Sequence, residues 1–159
     1  MTRRIIALLT MLCLLAGAAV CAAAEEGWND TDYEGYYVEV PQDWQFSFKL
    51  PSDWEYSGYG GSVSGFARRS GGMSLAIYWI DESFRDYADR LASGGGDYLE
   101  CSYITLNQGR SWFIGRSNTT FDAICSGSDS DTALYFSFEV DGSADLRLAR
   151  QIISSVRSK

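Results

Sequence analysis

Phe46-Ser47-Phe48-Lys49-Leu50-Pro51-Ser52-Asp53-Trp54 is the run on which the fold turns. Phe46, Phe48 and Leu50 alternate with Ser47 and Lys49, a period of two that marks a strand with one buried face and one wet face. Pro51 presets φ for a turn, Asp53 can bond its own backbone, and Trp54 packs where the next strand begins. Ten residues earlier the same chemistry occurs: Val40-Pro41-Gln42-Asp43-Trp44-Gln45-Phe46-Ser47 matches Leu50-Pro51-Ser52-Asp53-Trp54-Glu55-Tyr56-Ser57. A repeat architecture needs at least three copies, so the pair reads as a turn-and-strand echo.

Working outward, Tyr36 to Val40 is a strand candidate upstream and Trp54 to Tyr59 a weaker one downstream. Ser62 to Arg69 and Met73 to Ile80 form a hairpin across Ser70-Gly71-Gly72. In its second arm Met73, Leu75, Ile77 and Trp79 face one way and Ala76, Tyr78 and Ile80 the other, so this strand is covered on both sides. Asp81-Glu82-Ser83 caps a helix over Phe84 to Ser93, with Phe84, Tyr87, Ala88 and Leu91 on one stripe and Gly94-Gly95-Gly96 as its stop. Tyr98 to Leu106 and Arg110 to Ser117 make a second hairpin, with Gly109 in the left-handed position of its loop. Strands follow at Thr120 to Cys125 and at Ala133 to Val140, where Leu134, Phe136, Phe138 and Val140 oppose Tyr135, Ser137 and Glu139. A last helix spans about Ala144 to Arg157, N-capped by Ser143, with Asp145 at its positive end and Ala149, Ile152, Ile153 and Val156 as its stripe. Strands, helix, strands, helix is an α+β order: an antiparallel sheet with helices packed on it.

This pattern resembles the PsbP-like superfamily, whose members include extrinsic proteins of photosystem II, Ran-binding nuclear import factors and bacterial exported domains. Phe46-Ser47-Phe48-Lys49-Leu50-Pro51-Ser52-Asp53-Trp54 is similar to that family's F-x-apolar-P-x-x-W opening. Gly109 to Ile114 stands for its mid-domain hairpin, Leu134 to Phe138 for its late strand, and Ile152-Ile153-Ser154-Ser155-Val156 for its closing helix. The resemblance spans nearly all of residues 36 to 157. It implies an α-β-α sandwich around a central antiparallel sheet with two main helices, and a binding or assembly role over catalysis.

Ahead of this domain, Thr2-Arg3-Arg4 and the uncharged apolar stretch Ile5 to Val20 read as a signal peptide. Ala22 and Ala24 supply the small residues before a cleavage point after Ala24. The expected organisation is a signal at 1–24, an acidic leader at 25–35 and one domain at 36–159, secreted or extracytoplasmic, with no transmembrane span in the mature chain. Cys21 offers a lipid anchor as the alternative, although Val20 sits where a lipoprotein signal normally demands Gly, Ala or Ser. Thr2-Arg3-Arg4-Ile5 is also similar to a twin-arginine signal, a route for prefolded cofactor proteins, and no cofactor ligands follow. Once the signal is removed, Cys101 and Cys125 are the only cysteines left, and in an oxidising compartment they are disulfide candidates. The loop they close would be worth about 3 kcal/mol in the chain-entropy account. Two buried free thiols are the other reading.

Composition narrows the chemistry. The 159 residues contain no histidine, which excludes Ser-His-Asp and Cys-His nucleophile pairs, histidine-ligated zinc and an imidazole base. Thirteen Lys and Arg against 21 Asp and Glu give a net charge of −8, which argues against nucleic acid as a partner. Asp30-Thr31-Asp32-Tyr33-Glu34-Gly35 copies the first half of an EF-hand loop, but position 12 is Pro41 where a bidentate Glu is needed. Asp129-Ser130-Asp131 is a weaker acidic loop. No metal, cofactor or catalytic residue is therefore assigned. A carboxylate pair is the catalysis still open, with Asp81, Glu82, Asp122 and Glu139 as candidates. Trp28, Trp44, Trp54, Trp79 and Trp112 and ten tyrosines fit either an aromatic core or a stacking surface for a glycan or peptide. Asn29-Asp30-Thr31 and Asn118-Thr119-Thr120 are glycosylation sequons, meaningful only in a eukaryotic secretory route. The expected function is a secreted or cell-envelope, non-enzymatic domain that binds a protein or envelope component. A glycan-binding module or a carboxylate-based hydrolase is the alternative.

Overall fold

A computed structural model describes residues 33–40, 44–60, 63–106 and 109–158. The expected signal with Cys21 and the cleavage point after Ala24, Trp28 and the first sequon lie outside these residues. So do Asp30, Thr31 and Asp32 of the half EF-hand loop.

The opening run forms β2 (Phe46–Leu50) with the expected alternation, since Phe46, Phe48 and Leu50 are buried and Ser47 and Lys49 are not. β1 (Tyr36–Glu39) and the short β10 (Arg157–Ser158) flank it, giving a three-stranded antiparallel sheet. β3 (Trp54–Gly60), β4 (Val63–Arg68), β5 (Ser74–Ile80), β6 (Glu100–Thr105), β7 (Ser111–Arg116), β8 (Thr120–Ser126) and β9 (Ala133–Glu139) form a second, seven-stranded sheet. Its order is β3-β4-β5-β9-β8-β7-β6, and every pairing in it is antiparallel. β5 and β9 sit side by side near its centre because both carry apolar residues at alternate positions.

Two helices complete the layers. α1 (Phe84–Arg90) packs on one face of the large sheet, and α2 (Ser143–Ser154) packs with the small sheet on the other. The α+β sandwich is therefore present, with one outer layer partly built of strand. Between the sheets lies the larger core, where Phe46, Phe48, Phe66, Trp112, Phe136 and Phe138 meet Ile152 and Ile153 of α2. The smaller core joins Ala88 and Leu91 to Phe113, Ile124 and Ala133. Each fully buried large apolar side chain contributes roughly 1.5–3 kcal/mol by area.

Helix ends show where local signals held. Ser83 caps α1, its hydroxyl accepting from Asp86 N at 3.2 Å. The helix then widens into one π-type turn, Leu91–Gly95, and breaks at Gly94, whose φ is +108°. At α2 the expected cap at Ser143 gives way to Gly142, and the Asp145 carboxylate accepts from Asp141 N at 2.9 Å. The helix also stops before the expected Arg157. Ser155 turns its hydroxyl back to Ile152 O at 2.6 Å and takes Lys49 N at 2.8 Å, so the chain leaves the helix tied to β2 and pairs with it as β10.

The expected bridge between Cys101 and Cys125 is not made; both are free thiols. Register is the reason. Cys101 on β6 pairs with Gly115 and Cys125 on β8 pairs with Trp112, so β7 lies between them. Two strand spacings and a three-residue offset put the Cα atoms roughly 14 Å apart. The odd offset also points the side chains to opposite faces, whereas a bridge needs Cα atoms within about 7 Å. Cys101 is exposed and Cys125 buried. Alkylation of the native chain from Glu25 onward, without reductant, is expected to label Cys101 alone, with Cys125 reacting only after denaturation. A native mass showing no free thiol would contradict this register.

Candidate functional site

Among the carboxylates offered by the sequence, one is enclosed. Asp122 lies mid-β8 on the α1 face of the large sheet and is 4 % exposed. Ser137, its neighbour on β9, donates its hydroxyl to Oδ1 at 2.7 Å. The hydroxyls of Tyr98 and Tyr135 hydrogen-bond to the same carboxylate. Tyr98 reaches it from the segment entering β6, its ring passing over the bare backbone of Gly115 and beside Gly96. Tyr135 is stacked on Tyr78 at 5.4 Å and tilted against Tyr87 of α1 at 6.0 Å. The knot thus ties β8, β9, α1 and the β6 approach together.

Burial pushes the Asp122 carboxyl above the usual carboxylate range, and the bonds from Ser137, Tyr98 and Tyr135 oppose that shift only in part. Burial, then the nearby Asp122 charge, raises both Tyr98 and Tyr135. The sign for stability follows from linkage: a carboxyl whose folded pKa exceeds its unfolded one holds its proton more tightly when folded. Its contribution is greatest below the unfolded carboxylate range and declines as pH rises through the folded pKa. Asp122→Asn removes this dependence. Urea denaturation between pH 3 and 7, as order-of-magnitude limits of the carboxylate range, is expected to show stability shifting in favour of the Asn variant as pH rises. A shift in favour of the parent protein would overturn the assignment.

The other candidate acids are not gathered into a catalytic pair. Glu82 holds Arg90 at 2.7 Å beside α1, and Asp81 is an exposed residue at the end of β5. Glu139 shares the Asp122 face of the sheet but is exposed and accepts from Ser74 Oγ at 2.8 Å. Asp129 accepts from Asp131 N at 3.1 Å and from Thr132 Oγ1 at 2.8 Å, closing its own loop. Among the described residues no three Cys, Asp or Glu side chains group so as to hold a metal.

Solvent meets a different chemistry at the edge formed by β1 and β3. Tyr36 is 45 % exposed and its hydroxyl donates to Trp54 O at 3.1 Å, linking the edge of the small sheet to the edge of the large one. Tyr56, 55 % exposed, stands edge-on to Phe66 at 5.5 Å. On the outer face of the small sheet, the exposed Tyr37 ring lies 5.3 Å from Lys49 Nζ and 5.1 Å from the Arg157 guanidinium.

Comparison with solved structures settles the architecture. The solution structure of cyanobacterial PsbP (CyanoP) from Synechocystis sp. PCC 6803 superposes with a TM-score of 0.53 and 11 % identity, covering 87 % of this chain and 97 % of that one. The chain has a PsbP-like fold. A crystal structure from Bacteroides thetaiotaomicron VPI-5482 matches the PsbP-like domain with a TM-score of 0.52 and 19 % identity over 80 % of this chain. Only 49 % of the Bacteroides chain is covered, so the sequence spans about half the length of that protein. No protein-family model and no curated protein matches the sequence.

Within this PsbP-like domain the tryptophans divide as an aromatic core would have it. Trp44, Trp54 and Trp112 are buried and Trp79 is half-buried. Among the described residues the exposed rings are tyrosines, which the sequence offered for a stacking surface without saying which of the ten. Tyr98, Tyr135 and Ser137 around Asp122 were equally hidden. Gly115 was the available signal, since a glycine inside a strand marks close approach of another group. No helix among the described residues is long and apolar enough to cross a membrane.

Proposed function

We propose that this chain is an exported, non-enzymatic binding domain that docks a protein or cell-envelope component through the tyrosine edge of β1 and β3. The observation that carries this reading is the contrast between the two kinds of polar side chain. Asp122 is sealed beneath hydroxyls, whereas Tyr36 and Tyr56 present rings to solvent. A general acid or base must reach its substrate's proton, which a 4 % exposed carboxylate under three hydroxyls does not do. Tyrosine supplies large, rigid contact area at low entropic cost, so exposed pairs of it suit a docking edge. The acidic balance of the chain favours a basic partner.

The test is capture from an envelope extract with the parent protein and a Tyr36→Ala, Tyr56→Ala double variant. A partner retained by the parent and lost by the double variant supports the reading, and equal retention by both overturns it. Stacking tyrosines also suit a sugar ring. An oligosaccharide that shifts intrinsic fluorescence and loses that effect in the double variant would replace the protein partner with a glycan. Sugar release from such a ligand would establish the hydrolase.

A further inference from the structure

β6 is the last strand of the seven-stranded sheet on the side away from β3. Leu106 N bonds Arg110 O at 3.0 Å. Antiparallel pairs alternate between bonded and unbonded, so Ile104, Ser102 and Glu100 bond to β7 as well. The N–H and C=O groups of Cys101, Tyr103 and Thr105 therefore point away from the sheet, and among the described residues no backbone group meets them. The acidic leader falls short of supplying a strand there. Tyr33 sits beside Asp53 and Arg68 on the β3 side, six strand spacings or about 29 Å from β6. Residues 25–32, fully extended, span at most about 28 Å, which leaves none to pair.

The other strand edges are blunted. β3 has a register shift between Tyr56 and Gly58, and the Tyr36 hydroxyl occupies Trp54 O. β1 has only four residues and β10 two. β6 runs six residues in unbroken register without proline or lysine, and Tyr103, Ile104 and Thr105 all favour strand. Tyr103 is 39 % exposed, and Leu99 at the entry is 66 % exposed. Charge is low here as well. Asp89 accepts from Tyr103, Arg85 acts on the same ring, Arg116 lies opposite Glu100, and Asp97 precedes the strand. Together they carry −1 in a chain of −8, so this is a place where a second acidic copy can approach.

We propose that β6 pairs antiparallel with β6 of a second copy about a two-fold axis through Tyr103. The open groups are themselves symmetric about that residue. The axis sets Tyr103 against Tyr103 and Cys101 against Thr105, so every open N–H and C=O of both copies finds a partner. An axis at Cys101 or Ser102 would set Thr105 against the irregular entry before Glu100. The Tyr103 axis also keeps the two Glu100 residues about 20 Å apart along the strands. Such a contact uses the same edge on both copies and closes at two. It is small, so the dimer is reversible.

Sedimentation of the chain from Glu25 onward, between roughly 10 μM and 1 mM, should show the mass rising toward twice the monomer. Thr105→Pro removes an open N–H and no bond to β7, so it should weaken dimerisation by about tenfold or more with the fold kept. Thr105→Cys in oxidised glutathione should give a disulfide-linked dimer, because bonded pairs hold Cα atoms about 5.5 Å apart, within bridging range. The parent should link at least about tenfold more slowly, since the axis holds its two Cys101 residues about 13 Å apart. A monomer throughout, a dimer unaffected by Thr105→Pro, growth beyond two copies, or equal linking of parent and Thr105→Cys overturns the proposal. If Thr105→Pro fails to fold, the comparison of linking rates decides. The tyrosine edge lies at the far side of the sheet, so the Tyr36→Ala, Tyr56→Ala variant should dimerise as the parent does. This outcome is therefore independent of the docking test.

Discussion

Phe136→Ala is expected to be the most damaging single truncation in the domain, lowering stability by about 3–5 kcal/mol. The ring sits in the middle of β9 with 0 % exposure. It stands 5.7 Å from Phe46, 6.0 Å from Phe48 and 5.6 Å from Trp112, so it joins β2 of the small sheet to β7 of the large one. Truncation removes the transfer free energy of the ring and leaves a void walled by three aromatic groups that cannot collapse without breaking the register of two sheets. Aromatic contacts add about 0.5–1.5 kcal/mol per pair beyond buried area. For a domain of this size the loss corresponds to a drop in melting temperature on the order of 10–20 °C. Thermal and urea denaturation measure it, with Tyr37→Ala as the exposed comparison, which should change stability by about 0.5 kcal/mol or less. A Phe136→Ala loss no larger than that of Tyr37→Ala would mean that the two sheets do not pack through this ring.

That hub is legible in the sequence itself. Alternation in Phe46 to Leu50 and in Leu134 to Val140 assigns each ring to an inward face, because side-chain period is a local property of the strand. Likewise the stripe Ala149, Ile152, Ile153 faces the core as its spacing requires. The helix's exit was not legible, since Ser155 ends it by bonding β2, a partner more than a hundred residues away in sequence. Cys101 and Cys125 failed for the same kind of reason. Composition supplied two cysteines and an oxidising destination, but facing direction depends on the register of β6, β7 and β8, and no local pattern encodes that.

The site was legible only as a list of acids. Asp122 read as one candidate among four, and what separates it from Glu139, two residues further along the neighbouring strand, is what covers it. Tyr98 provides part of that cover from outside any strand, having been expected at the start of one. Sequence places a hydroxyl near a carboxylate only where the two share an element, and here they meet through the sheet. Exposure of Tyr36 and Tyr56 follows from β1 and β3 each being the last strand of its sheet, a fact of strand order that alternation does not contain.

Gly115→Ala tests that cover directly. The φ of Gly115 is not in the left-handed region, so an alanine meets no backbone penalty there. The obstacle is space: an added Cβ would lie 2.5 Å from Tyr98 Cε1 and 2.6 Å from its Cζ, closer than real Cβ atoms approach. Gly96 blocks retreat to the other side, because its own added Cβ position lies 2.5 Å from Tyr98 Cε2. Tyr98 must therefore leave, and its hydroxyl leaves Asp122 with it. Overpacking costs about 1–3 kcal/mol, and leaving a buried carboxyl short of one hydrogen bond about 1–3 kcal/mol, so the expected loss is about 2 kcal/mol or more. Tyr98→Phe, which keeps the ring, should cost only the hydrogen-bond part. The decisive measurement is the cycle with Tyr98→Ala: once the ring is gone the methyl has room, and adding Gly115→Ala should then cost less than about 0.5 kcal/mol. Additive losses in the double variant would show that Gly115 is required for some reason other than the ring that crosses it.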